Sequence, residues 1–389
     1  MTPSPEPARN DATPAGGLGV KFTLSQPELS RLAGLAGNVV PSKSTLPILS
    51  TLLIRAEKDG VSIAATDLDL SILLKVDADV ATPGAIAVPA RRFAEIVRKL
   101  EAVEVTLEAV DGSLSIRCGR AKFKIPTMNP EDFPRLPETK DVETFSAPAG
   151  VLKGMIRRTR YAVSTDLARP SMNGIFLELD SKRIAMVATD GHRLAFCERE
   201  ESLPVSSQKG VIVPSKALDQ LLRLLPEDGE LEMGIGENQA FFRTDGVSLF
   251  TRLIEGPFPN YQQVVPKNND QELSISTDSL LMATDRVSTL AASLTTKQIK
   301  LVLDADQLVL EVASADIGQA REELEASYSG KSMSIGYNAT YLLDILKHVG
   351  SDEVRFKLDR PDNAGIIEPG EQSEGERYFS LLMPLKLSD

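Results

Sequence analysis

One local pattern occurs three times in this chain at near-constant spacing, and that recurrence constrains the fold more than anything else in it. Residues Val187-Ala188-Thr189-Asp190-Gly191-His192-Arg193-Leu194-Ala195-Phe196 read as two apolar strands meeting at a tight turn, with Asp-Gly as the turn signal. The stretch Val61 to Leu70, with Thr66-Asp67-Leu68-Asp69 at its centre, repeats the context more loosely, and Val309 to Asp316 repeats it more weakly still. Asp67 and Asp190 stand 123 residues apart, and Asp190 and Asp316 stand 126 apart. A second landmark keeps the same period: Pro89 to Pro214 spans 125 residues and Pro214 to Tyr337 spans 123. Two independent landmarks with one period point to a single module used three times, each of ordinary domain size.

Each copy reads as strand, helix, paired strands, helix, paired strands. In the first, Val20–Leu24 is a strand, and Gln26–Val40 carries Leu29, Leu32, Leu35 and Ala36 at helical spacing. Ile48–Ala56 and Val61–Val76 read as strands, Pro89–Leu100 as a second helix opened by proline, and 103–107, 113–118 and 121–125 as short strands. The second copy places helices over 149–163 and 214–225, the third over 277–288 and 338–349. The expected class is α+β, with two helices against antiparallel sheets in each repeat. The expected domains are 20–140, 141–266 and 267–389, divided in the polar, proline-containing connections near Lys140 and Lys267. Residues 1–19, rich in Pro, Ala and Gly and without a hydrophobic signal segment, read as a disordered tail.

Composition narrows the class. No apolar run approaches the ~18 residues of a membrane helix. Two isolated cysteines, Cys118 and Cys197, in 389 residues suit a reducing, cytoplasmic compartment without a disulfide framework. The net charge of −12 taken alone argues against nucleic-acid binding, but it is unevenly spread. The helical segments carry net charges of 0 (26–40), +3 (90–100), +4 (149–163), +1 (214–225), −1 (277–289) and 0 (338–349), so everything outside them sums to −19. Arg91, Arg92, Arg98, Lys99, Lys153, Arg157, Arg158, Lys216 and Arg223 are therefore the candidate phosphate contacts, if the helices share one surface. Solvated helix faces rich in Lys and Arg are the plain alternative.

Several stretches carry a family resemblance: Thr45-Leu46-Pro47-Ile48-Leu49, Ala65-Thr66-Asp67-Leu68, Val88-Pro89-Ala90-Arg91, Ala188-Thr189-Asp190-Gly191-His192-Arg193-Leu194, Phe258-Pro259-Asn260-Tyr261, Tyr328-Ser329-Gly330 and Met383-Pro384-Leu385-Lys386-Leu387. In order and spacing they resemble the bacterial DNA polymerase III beta subunit, the replicative sliding clamp, over residues 20–389. The resemblance implies a non-catalytic, cofactor-free subunit of the polymerase III holoenzyme. Two three-domain chains would join head to tail as a homodimeric ring around duplex DNA, with helices lining the hole and sheets outside. It implies as partners double-stranded DNA of any sequence, the polymerase III alpha subunit, the clamp loader and other proteins with clamp-binding segments, and no membrane.

The same resemblance carries residues. Lys43, Arg91 and Lys216 match basic DNA-contacting positions, whereas the loop 164–171 lacks the Gln and paired Tyr of the best-known relatives and keeps only Arg169. A groove for short hydrophobic peptides is implied at Met172, Thr189, Gly191, His192, Arg193, Leu194, Pro259, Val264, Leu381, Met383, Pro384 and Leu385. Ring closure is expected between a basic strand of the first module (Arg117, Arg120, Lys122, Phe123, Lys124, Ile125) and an acidic strand of the third (Glu322, Glu323, Glu325, with Leu290), two edges of opposite charge.

Two rivals stand beside this. An enzyme using Asp190 and His192 would need a nucleophile on an elbow, and no Gly-x-Ser-x-Gly occurs. Two histidines supply a metal site poorly, and Gly330-Lys331-Ser332 lacks the first glycine of a phosphate loop, with Glu325 in its place. The second rival is a repeat scaffold that binds protein alone.

Overall fold

The computed structural model describes residues 19–137, 142–205, 208–314 and 318–387. The expectations for most of the N-terminal tail, for a boundary at Lys140, for Asp316 and for Ser388-Asp389 fall outside those residues. Among them are six α-helices: α1 (Gln26–Gly37), α2 (Ala90–Arg98), α3 (Ala149–Arg160), α4 (Ser215–Leu224), α5 (Thr277–Ala291) and α6 (Ala339–Leu346). Each starts where a strand ends, without an intervening loop. Pro89, Pro148 and Pro214 close their strands and cap α2, α3 and α4 with φ between −57° and −60°. That fixed φ suits both the end of a strand and the start of a helix, and the missing N–H is one a helix start cannot use. Side-chain oxygens do the capping at α5 and α6, where Ser276 accepts from Ser279 N and Asn338 from Thr340 N and Tyr341 N.

Helix ends depart from the sequence reading for local reasons. α1 stops at Gly37, not Val40, because the residue before Pro41 is pushed out of helical geometry. α5 runs on to Ala291, continuing the buried stripe of Leu280, Ala283, Val287 and Ala291. Val61–Val76 is two strands, Gly60–Thr66 and Leu70–Val76, because Thr66-Asp67-Leu68-Asp69 turns the chain. Strands Asp79–Thr82, Gly84–Pro89, Lys209–Pro214 and Gly365–Pro369 carry no strong alternation and are absent from the sequence reading.

The described residues form two compact units, one of those within Met1–Pro137 together with Gly246–Ser248, the other of those within Glu138–Asp245 and Leu249–Asp389. In the first, a five-stranded antiparallel sheet runs in the spatial order Asp79–Thr82, Lys21–Ser25, Glu104–Val110, Ser113–Cys118, Ala121–Pro126. A second antiparallel set runs Leu70–Val76, Gly60–Thr66, Thr51–Glu57, Gly84–Pro89. α1 packs on α2, and Phe22, Leu29, Leu32, Leu52, Ile54, Ile63, Ile72 and Phe93 are fully buried.

In the second unit the central and C-terminal repeats share one nine-stranded sheet. Its order is Lys209–Pro214, Gly174–Leu179, Arg183–Thr189, Arg193–Glu200, Glu376–Leu382, Gly365–Pro369, Glu353–Leu358, Gln271–Ser276, Ser327–Tyr328. The two repeats meet where Arg193–Glu200 pairs antiparallel with Glu376–Leu382, Arg193 opposite Leu382 and Leu194 opposite Leu381. A separate four-stranded sheet ends on Gly318–Glu325. α3 packs on α4 and α5 on α6, as α1 does on α2.

Candidate functional site

The Thr-Asp turns of the first two repeats are built alike. Thr189 Oγ1 donates to Arg193 O (2.7 Å) and accepts from Gly191 N (3.1 Å), while Asp190 Oδ1 accepts from His192 N (2.9 Å) and Arg193 N (3.0 Å). Thr66 and Asp67 make the same four bonds to Leu68, Asp69 and Leu70. The third turn residue is left-handed in both, Gly191 at φ +89° and Leu68 at φ +81°. Gly191 takes that conformation without strain, while Leu68 holds it at a cost of about 1 kcal/mol.

Sheet fusion brings residues 189–194 against 381–383, positions nearly two hundred apart in the chain. Met383 N donates to His192 O at 2.9 Å, just beyond the Arg193–Leu382 pair. Leu194 and Leu381 are buried in a cluster with Ala185, Val187, Phe196, Tyr261 and Phe379, against which Phe176, Phe258 and Val265 pack. Phe258 stacks on Phe176 with centroids 5.0 Å apart, and Phe196 on Phe379 at 4.9 Å. Tyr261 donates to Glu178 at 2.6 Å; burial, with that hydrogen bond, pushes its hydroxyl up to about 12. Met172 is buried, while Val264, Pro259, His192 and Met383 are exposed. Pro384 and Leu385 turn elsewhere: Leu385 N donates to Gly336 O (2.7 Å), and both line a hollow of about 410 Å³ with Pro361 and Leu387.

Arg193 is the hub of this region, its side chain only 9% exposed. Its Nε donates to Asp190 (3.1 Å), Nη1 to Asp344 of α6 (2.7 Å) and Nη2 to Tyr161 O at the end of α3 (2.7 Å). The guanidinium lies 4.4 Å from the Tyr341 ring centroid. Sequence reasoning missed Tyr161, Tyr341 and Asp344, since nothing marks residues 32 to 151 positions away as partners of a turn. Asp190 is occupied by two backbone N–H groups and Arg193, which leaves it no role as a base toward His192. Among the described residues no group of three or more His, Cys, Asp or Glu could hold a metal ion.

The basic helices divide in two. Arg92, Arg98 and Lys99 around α2 and Arg223 on α4 are exposed, as is Lys43, and none has an ion pair among the described residues. Lys216 is exposed too. Arg91 pairs with Glu95 along α2 at 3.1 Å. The α3 cations are all paired: Lys153 (2.8 Å) and Arg157 (3.1 Å) to Glu227, Arg158 to Glu376, Arg160 to Asp219 (2.8 Å). Those pairings hold the Glu227 carboxyl below its usual range, the Lys153 hydrogen bond first. The +4 read from the α3 segment is thus partly neutralised in place.

Both expected interface strands are sheet edges, each within its own unit. Ala121–Pro126 ends the five-stranded sheet with Lys122 and Lys124 exposed, as are Arg117 and Arg120 before it. Phe123 is 40% exposed, whereas Ile125 is buried and offers a partner no side chain. On the other edge, Glu323 and Glu325 are exposed, Glu322 pairs with Arg286 of α5, and Glu323 pairs with Arg321. Leu290 is partly buried against the core behind this strand.

No helix among the described residues is long and apolar enough to cross a membrane. Three models of the DNA polymerase III beta subunit match the chain in order: the N-terminal domain over residues 20–137, the central domain over 147–260 and the C-terminal domain over 262–385. The beta sliding clamp of Caulobacter vibrioides is 33% identical over 377 residues, covering 95% of this chain and 100% of the relative. That of Escherichia coli K12 is 31% identical over 373 residues, with the same coverage. The solved DnaN sliding clamp of Pseudomonas aeruginosa, bound to griselimycin, aligns with a TM-score of 0.90 at 30% identity, covering 96% of this chain and 100% of that one. The Bartonella birtlesii clamp, also bound to griselimycin, gives 0.89 at 34% identity over 95% of this chain and 100% of that one. With all three domains matched in sequence and in fold, this α+β chain belongs to the DNA polymerase III beta subunit family, the bacterial sliding clamps of DNA replication.

Proposed function

We propose that the chain works as a cytoplasmic homodimeric ring that encloses duplex DNA and tethers the polymerase III alpha subunit, the clamp loader and other proteins through the groove at Thr189–Leu194 and Met383. Three domains, 20–140, 141–266 and 267–389, make half of the ring. The observation that carries this reading is the antiparallel edge pairing by which Arg193–Glu200 and Glu376–Leu382 join the central and C-terminal repeats. Two of the sheet-edge strands carry opposite charge, basic at Ala121–Pro126 and acidic at Gly318–Glu325. Pairing of these between copies is heterologous and closes after two. A closed ring is held by topology and needs no base contact. Diffuse cations such as Arg92, Arg98 and Arg223 are enough to favour phosphate while permitting sliding.

The groove suits an extended apolar segment: an apolar floor, an exposed methionine and a rigid polar turn. The test is retention. Loaded by a clamp loader onto nicked circular DNA, the chain stays bound through gel filtration in high salt and is lost when the circle is cut. Equal retention on linear and circular DNA, or a particle of one 42.1 kDa chain, overturns the ring.

A further inference from the structure

We infer that the first repeat carries a second peptide-docking site, around Leu46 and Leu68, and that it takes a short extended segment whose apolar anchor is flanked by Lys or Arg. This rests on the groove reading, because the first repeat is built as the groove is, position by position, beyond the Thr-Asp turn they share. Leu53 stands opposite Ala64 on one side and Ala87 on the other, with Leu73 beyond Ala64. Phe176 stands likewise between Val187 and Ile212, with Phe196 beyond Val187. Met128 N donates to Ala87 O (2.8 Å) as Ile254 N does to Ile212 O (2.9 Å). From each of these bonds the chain runs on to a Phe-Pro pair that covers its cluster: Phe133 is buried with Leu49, Leu53 and Ala64, and Phe258 stacks on Phe176. Three residues further, Leu136 and Tyr261 pack on the same clusters. Leu49 also matches Met172, each two residues ahead of the strand residue paired with a helix-capping proline, Thr51 with Pro89 and Gly174 with Pro214. The fold itself does not demand an apolar face here. In the third repeat the matching positions are Lys300, Glu311 and Arg321, a ladder in which Lys300 (3.0 Å) and Arg321 (3.4 Å) both pair with Glu311.

Phe133 accounts for the buried part of this face but leaves two leucines in solvent, Leu46 at 49% and Leu68 at 55% exposure. They stand where the groove has Arg169 and Gly191: Leu46 and Arg169 precede the 3₁₀ turns Pro47–Ser50 and Pro170–Met172, and Leu68 and Gly191 take the left-handed place in their Thr-Asp turns. In the groove those two positions touch, Arg169 Nη1 lying 3.0 Å from where a β-carbon on Gly191 would stand. By the same build the two leucines share one patch. Glycine would hold φ +81° without strain, whereas the Leu68 side chain stabilises nothing until a partner covers it. Charge decides what that partner is. Asp67 and Asp69 flank Leu68, with Asp69 where the groove has His192, and Glu131 and Asp132 are exposed on the connector to Phe133. These four acids outweigh Lys43 and Arg135 nearby in the chain. Such a surround repels phosphate and favours an apolar segment with basic neighbours.

The experiment uses the full chain and two fluorescein-labelled peptides read by anisotropy. One spans the clamp-binding segment of the polymerase alpha subunit and reports on the groove. The other, a leucine pair between lysines, is the probe for the first repeat and is added after the groove is filled with excess unlabelled alpha segment. The probe should still bind, and Leu68→Gly and Leu46→Asp should each weaken it about tenfold. Asp69→Lys should shift the preference to a probe with glutamates in place of the lysines. Leu68→Gly relieves strain, so its thermal midpoint should not fall, which separates lost binding from lost structure. Affinity for the alpha segment and retention on nicked circular DNA should stay as in the parent. No probe binding once the groove is filled overturns the inference, as does binding indifferent to Leu46 and Leu68. Faster loss of these variants from DNA, with the probe still bound, overturns it in favour of a DNA contact. Met383→Lys separates the two readings. If it leaves affinity for the alpha segment intact the groove reading fails, whereas if it weakens that affinity and the Leu46 and Leu68 variants bind the probe as the parent does, the first-repeat site alone falls.

Discussion

Arg193 illustrates what one side chain can organise. A guanidinium offers five donors in a planar fork, and here the fork reaches a turn carboxylate, a carboxylate of α6 and the Tyr161 carbonyl that follows α3, with Tyr341 against its face. Lysine has the charge without the fork. Arg193→Lys should therefore loosen the His192 turn and weaken peptide binding about tenfold, measured by the same anisotropy assay. Asp344→Asn keeps the shape and an acceptor but removes the charge, and should cost about 1–2 kcal/mol in urea unfolding. Equal stability would mean that the pair is decorative. Tyr337 is the opposite case: it is fully buried, its hydroxyl has no hydrogen-bond partner among the described residues, and burial drives its pKa far up. Tyr337→Phe removes an unsatisfied polar atom and should leave stability unchanged or raise it by up to about 1 kcal/mol. A loss of more than that in thermal unfolding would show that the hydroxyl has a hidden partner.

Among the elements, α3 shows how position changes the meaning of charge. Its cations are engaged by Glu227, Glu376 and Asp219, all far away in sequence. Glu227→Gln releases Lys153 and Arg157 together. The salt dependence of DNA association should then steepen by about one to two in log–log slope, and an unchanged slope would place α3 away from the phosphates. Much of the architecture was legible beforehand. Helical spacing at Leu29, Leu32 and Ala36 located α1, and the proline openings located α2 and α4, because short-range periodicity and capping act within a few residues. The Thr-Asp turns announced the repeat. The sheet fusion at Arg193–Leu382, the partners of α3 and the inward turn of Ile125 were not legible, since each depends on which distant strand lies alongside. Phe123 and Ile125 share one face of their strand by alternation, yet only Ile125 is covered. The uncovered Phe123 is what an interface would leave.

For the whole molecule, a net charge of −12 and an affinity for DNA are compatible only if the sign depends on which surface is met. The proposed ring would supply that condition, and its weakest points would be its joints, where two chains would meet through edges of opposite charge. In that proposed ring, reversing the basic edge with Lys122→Glu and Lys124→Glu would set acid against Glu323 and Glu325 of the partner copy. Sedimentation should then fall to a particle of one 42.1 kDa chain, and retention on circular DNA should vanish while the fold, read by circular dichroism, stays intact. The reciprocal change, Glu323→Lys with Glu325→Lys, should break the ring equally on its own. Combined in one chain, the four substitutions present basic against acidic edge again, with the signs exchanged, and should restore both the dimer and retention. Since exposed charges are screened within about 10 Å at 0.1 M salt, the single-edge defects should soften as ionic strength rises and the rescued ring should behave as the parent does. Rescue failing while both single-edge variants remain folded monomers would mean that these strands matter to the joint without facing each other across it.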